Sequence, residues 1–180
     1  MGLRDRVQER REERRGDDTL KYQMRQRLVS IGDDYWIEDN RGQRAFKVDG
    51  KVLRVRDTLV FEDANGNHLL KLQERMVRVR DTMNISDNDG NTVATVKKAM
   101  IAPLRERWSV DVKGAPDIKV QGNIVDHEYT LESDGGKVAE VSKRWFRVAD
   151  TYGVEVEPGQ NVPLILAITA VVDQMAHPDR

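Results

Sequence analysis

Three groups of residues in this chain have types and spacings that chemistry can use. They are acids clustered with Asn and Gly, three histidines, and arginine and lysine pairs beside aromatics. The acidic stretches, "EDANG" at 62–66 and "DNDG" at 87–90, suggest calcium, which takes hard oxygen ligands. An EF-hand, however, sets its first acidic ligand five residues before the loop glycine, and Ile37, Phe61 and Ile85 hold those places here. Counted from Ile85, the twelfth position, where Glu belongs, is Val96. Asp and Asn beside Gly are read instead as turn formers.

The histidines His68, His127 and His177 are far apart and share no metal-binding motif; a site would need the fold to gather them. The stretch "VDHEYT" at 125–130 reads as strand, with His127 and Tyr129 on one face and Asp126 and Glu128 on the other. His127 is then expected in core packing or a cross-strand hydrogen bond. No Gly-rich phosphate loop and no G-x-S-x-G elbow occurs. These observations predict no catalytic residue, no metal and no cofactor.

The basic residues offer more. In "VLRVRD" and "MVRVRD", Val55 and Val79 alternate with Arg54, Arg56, Arg78 and Arg80, so the four arginines share an outward face. Lys97, Lys98, Lys143, Arg144 and Arg147 hold comparable places later, the last three beside Trp145 and Phe146. Basic groups next to an aromatic suit an anionic head group or a nucleic-acid backbone. The commoner role for such residues is a solvated outer face, with Asp57 and Asp81 as neutralising neighbours.

The elements that carry these residues repeat. "YWIEDNRGQRAFKV" from Tyr35, "LVFEDANGNHLLKL" from Leu59 and "MNISDNDGNTVATV" from Met83 are copies of one pattern. "YTLESDGGKVAEV" from Tyr129 is a copy one residue shorter. Each alternates apolar residues, turns at an Asp/Asn/Gly cluster and alternates again, which is the signature of a β-hairpin. "RWSVDVKGAPDIKVQG" at 107–122 is a worn copy, and "DTYGVEV" at 150–156 opens a last one. The connecting pieces "KVLRVRD" (51–57), "RMVRVRD" (75–81) and "RWFRVAD" (144–150) also read as extended. Hairpin repeats of 22–24 residues predict about twelve antiparallel strands, and so long a meander should close on itself to remove its edges.

Residues 161–177, "NVPLILAITAVVDQMAH", differ from everything before them. Asn161 suits a helix cap and Pro163 the first turn, so a helix is predicted over 162–176. From Leu164 to Val172 only Thr169 is polar, and the run is near half a membrane span. A short helix that is apolar on every side needs an enclosure, and twelve curled strands supply one. Leu164, Ile165, Leu166, Ile168, Val171, Val172 and Met175 are therefore predicted to fill the barrel as its core helix.

The remainder bounds the partners. Residues 1–19 set six arginines against six acids around Leu3 and Val7, which predicts a charged arm, flexible or helical, with 178–180 as a short tail. The formal net charge of −1 provides no field toward nucleic acid, so any anionic ligand must find a local patch. Cysteine is absent, which excludes disulfides and thiolate chemistry, and the first residues show no secretory h-region, so a cytoplasmic protein is expected.

The closing stretch "GNIVDHEYTL…GGKVAEVSKRWFRVADTYGVEV" with "PLILAITAVVDQM", and the opening "YQMRQRLVSIGDDYWIEDNRGQRAFKVDGKV", resemble the LURP-one-related family over about residues 20–177. That family is related in fold to the Tubby C-terminal domain and to phospholipid scramblases. The resemblance implies a twelve-stranded barrel around a central hydrophobic helix, in agreement with the periodicity. It also implies kinship with Tubby domains, which bind phosphoinositide head groups through basic residues, and with membrane-associated scramblases. No Tubby lipid-contacting residue is carried over to a position here, and the scramblases' palmitoylated cysteines have no counterpart.

The sequence thus predicts a non-catalytic binding or scaffold protein that meets anionic phospholipid through its basic face, peripheral to the membrane and not inserted through it. A protein-interaction module recruiting through residues 1–19 is the alternative, and a lipid-handling or hydrolytic enzyme the third reading.

Overall fold

The computed structural model describes residues 19–25, 35–49, 58–74, 81–102, 105–145 and 151–177. Twelve strands appear in chain order. They are β1 (Leu20–Arg25), β2 (Tyr35–Asp39), β3 (Arg44–Asp49), β4 (Thr58–Asp63), β5 (His68–Glu74) and β6 (Asp81–Ser86), then β7 (Thr92–Ala102), β8 (Arg105–Val112), β9 (Ile118–Asn123), β10 (Glu128–Ser133), β11 (Gly136–Ser142) and β12 (Thr151–Val156). Each pairs antiparallel with its chain neighbours, and β1 closes the barrel against β12 through Tyr22↔Val154 and Met24↔Tyr152.

The repeat persists at the level of single hydrogen bonds. Asp39 Oδ1 accepts the amides of Arg41 (2.8 Å) and Gln43 (2.9 Å). Asp63 Oδ1 accepts those of Asn65 (2.8 Å) and Asn67 (2.9 Å), and Asp87 Oδ1 accepts that of Asn91 (2.8 Å). The acids are turn formers, as their spacing predicts. Four hairpins also carry an irregularity at one equivalent place: Ile37/Glu38, Phe61/Glu62, Ile85/Ser86 and Leu131/Glu132. Bulges add twist, and twist is what lets a sheet close. The fourth hairpin is a residue shorter because it turns on Asp134 and Gly135, both at positive φ, as a two-residue hairpin loop requires.

Period-two alternation sends one face of every strand inward. Ile37, Phe61, Leu72, Ile85, Val96, Val110, Leu131 and Val154 are all fully buried. Helix α1 (Val162–Ala176) fills the space they enclose, lying nearest β5, β6, β7 and β12. The Asn161 side chain caps it by accepting the Leu164 amide at 3.2 Å. Every residue from Ile165 to Asp173 is buried, so more than two turns are covered on all sides. Of the expected core residues, Ile165, Leu166, Ile168, Val171, Val172 and Met175 are buried, while Leu164 is half-buried at the entrance.

Two local expectations need correction. "RWFRVAD" does not begin extended: Lys143–Trp145 is a 3-10 turn, because Glu128 Oε1 and Ser142 Oγ accept the amides of Lys143 and Arg144, both at 3.1 Å, in place of a ladder partner. Nor is "VDHEYT" all strand. Ile124–His127 is a turn, closed by His127 N–H to the Ile124 carbonyl at 3.1 Å and by Asn123 Nδ2 to Asp126 Oδ2 at 2.6 Å. His127 takes φ 55° there, and the strand starts at Glu128. The shared inward face of His127 and Tyr129 survives, since both are buried. Residues 51–57, 75–80 and 146–150, which hold most of the connecting segments, lie outside the described residues.

Candidate functional site

Antiparallel order assigns the connections to two rims. The tight turns after β2, β4, β6, β8 and β10 share one rim, and α1 enters the barrel there. At the other rim β3, β5 and β11 end, β4, β6 and β12 begin, the 124–127 turn sits, and α1 emerges at His177. The sequence-predicted basic residues within the described part belong to this emergence rim or lead to it.

They do not form one patch. Lys97 and Lys98 are consecutive on β7 and so face opposite sides of the wall. Lys97 points outward to Asp111, at 3.3 Å. Lys98 shares the parity of buried Val96, and its ammonium lies 5.3 Å from the centre of the Trp108 ring. Lys143 and Arg144 follow β11, four strands away around the barrel, about 19 Å along the wall. Arg144 is the most open of them: its side chain is 83% exposed and its nearest carboxylate, Glu128, stands at 3.7 Å. Beside it the Trp145 ring lies under the Lys21 ammonium, at 5.5 Å, which itself pairs with Glu155 at 3.1 Å. Arg54, Arg56, Arg78, Arg80 and Arg147 lie outside the described residues, as does the 1–19 arm.

The fold also gathers groups that the sequence keeps apart. His127, Asp173 and His177 meet where α1 leaves the barrel, with donor atoms all within 4.8 Å of one another. Asp173 ends a buried run whose only other polar member is Thr169, and it reaches His127 Nε2 through Oδ1 in a short contact. His177 Nδ1 lies 3.3 Å from the same oxygen, and its Nε2 lies 3.2 Å from the Val125 carbonyl. The His127 ring packs on Tyr152 at 4.4 Å and on His177 at 5.2 Å between centres. Burial pushes the Tyr129 and Tyr152 phenols well above their ordinary pKa, and the negative charge of Asp173 adds to it. His68 is at the far rim with Glu62, 3.1 Å away.

Sequence reasoning missed this cluster because it weighed the three histidines by their distance along the chain and did not weigh Asp173 with them. The available signal was i, i+4 spacing: Asp173 and His177 sit one helical turn apart and face the same way.

A family model described as LURP-one-related matches residues 20–173. Among solved structures, the X-ray structure of an Arabidopsis thaliana protein superposes with a TM-score of 0.65, covering 87% of this chain and 90% of that one at 19% identity. Likeness at that identity is likeness of fold. No curated protein matches the chain. Among the described residues no helix is long and apolar enough to cross a membrane.

Proposed function

The chain belongs to the LURP-one-related family, and from that premise we propose that it is a binding protein that meets anionic phospholipid head groups with the basic residues of its emergence rim. The family and its barrel are consistent with a non-catalytic, lipid- or membrane-associated module. With a net charge of −1, attraction to an anionic surface has to be local.

The observation that carries the reading is the open Arg144 next to Lys143 and Trp145, a cation pair beside an aromatic at the emergence rim. Arg54 and Arg56 fall between β3 and β4, and Arg78 and Arg80 between β5 and β6, whose ends lie at the same rim. The filled lumen leaves the exterior as the place to bind.

Sedimentation with vesicles tests it, neutral against phosphatidylserine- or phosphoinositide-doped, at low and high salt. Each basic residue near an anionic surface adds about 1 kcal/mol, so neutralising Lys143 and Arg144 should weaken binding roughly 30-fold. Reversing Arg54, Arg56, Arg78 and Arg80 to Glu should remove the rest. Absence of binding to anionic vesicles at low salt would sink the proposal and move the search to protein partners of residues 1–19.

A further inference from the structure

The geometry points to a metal site at the emergence rim, in which His127 Nε2, Asp173 Oδ1 and His177 Nδ1 bind one divalent first-row transition ion of the zinc class. The argument begins with which ring atoms carry hydrogen. The Val125 carbonyl can only accept, so His177 Nε2, 3.2 Å from it, holds a proton. In the neutral ring that leaves Nδ1 as a bare lone pair. It faces two further acceptors, the Asp173 carbonyl at 3.1 Å and Asp173 Oδ1 at 3.3 Å. Three acceptors converge, so either a hydrogen carried by one of these groups or a metal ion must stand among them.

The surroundings favour the ion. A metal-bound histidine commonly donates its other ring N–H to a carbonyl, which is what His177 does toward Val125. Tetrahedral coordination at 2.0–2.1 Å spaces ligand atoms about 3.3 Å apart, the His177–Asp173 separation found here. The short His127–Asp173 contact would open as an ion entered. His127 Nδ1 and the phenol oxygens of Tyr129 and Tyr152 are buried with no hydrogen-bond partner among the described residues, and Tyr152 lies on the His127 ring. Unsatisfied polar groups are costly around a bare carboxylate, whereas a metal-bound water would supply the two phenols with a partner. Two imidazoles and one carboxylate select zinc or its neighbours over calcium or magnesium. The ligands come from the 124–127 turn and from the end of α1, so the ion would tie the barrel wall to the helix inside it.

The test uses the full chain without an affinity tag, stripped by chelator, titrated with zinc chloride by calorimetry and melted with and without zinc. One zinc per chain is expected, with Tm raised by about 5–10 °C at a hundredfold excess over Kd. His177→Ala, at the rim end of the helix, and Asp173→Asn should abolish both effects, while His68→Ala at the far rim should retain them. If Asp173→Asn fails to fold, His177→Ala decides alone. Absence of stoichiometric zinc, or binding undiminished in His177→Ala, would overturn the inference and leave a shared hydrogen in the ion's place.

Discussion

Gly122 allows a test of how tightly the wall around the His127 turn is held. It sits in β9 opposite Tyr129, at φ +128°, where L residues are rarely found. A Cβ added there would stand 2.5 Å from the Glu128 carbonyl oxygen and 2.7 Å from the Tyr129 Cα. Both are backbone atoms of the paired strand, so neither can swing away without breaking the register. Gly66, at φ +83° in a hairpin turn with nothing within 4 Å of its Cβ position, isolates the conformational part. Gly66→Ala should cost about 1–2 kcal/mol from the left-handed backbone alone. Gly122→Ala carries a similar strain and adds an overpacking cost of about 1–3 kcal/mol, for about 2–5 kcal/mol in all. Urea unfolding of wild type and both variants, followed by far-UV circular dichroism, reads the difference at constant m. If Gly122→Ala proves no more costly than Gly66→Ala, the close approach of β9 and β10 is not a feature of the folded protein.

Three further outcomes follow from the core and the turns. Leu166, fully buried on α1, should cost about 2–5 kcal/mol on truncation to Ala, whereas Thr169→Val should stay within about 1 kcal/mol, because that hydroxyl bonds only the Ile165 carbonyl of its own helix at 3.0 Å; parallel urea curves check both. Hydrogen bonds from Asn67 hold Asp63 below its ordinary pKa of 3.8, and those from Asn91 do the same for Asp87. A carboxylate depressed in the folded state contributes stability above its unfolded pKa and loses it as pH falls through the folded one. Asp63→Asn with Asp87→Asn should therefore flatten the acid limb of the stability profile below about pH 4, measured by Tm against pH, and leave the slope above pH 5 unchanged.

Much of this barrel was legible before any coordinates, because its determinants are local. Period-two alternation, Asp/Asn/Gly turns and an all-apolar segment with its own cap depend on residues within a few positions of one another. That is why β2–β3, β4–β5, β6–β7 and β10–β11, and the limits of α1, fall where the pattern sets them. The errors arose where a side chain competed for the backbone. Glu128 and Ser142 drew residues 143–145 into a 3-10 turn, and Asn123 closed a turn that alternation alone read as strand.

The candidate sites were less legible, and for a physical reason. Adjacent lysines on one strand look like a pair in sequence, yet Lys97 and Lys98 flank the wall from opposite sides. His127 and His177, fifty residues apart, look unrelated, yet they share one carboxylate. By itself, then, the sequence determined the repeat, the turn chemistry and the need to enclose an apolar helix, since each is short-range geometry and hydrophobicity. Only the tertiary structure decided which rim the helix leaves by and what it meets there, because that depends on the parity of twelve antiparallel strands and on closing β1 against β12.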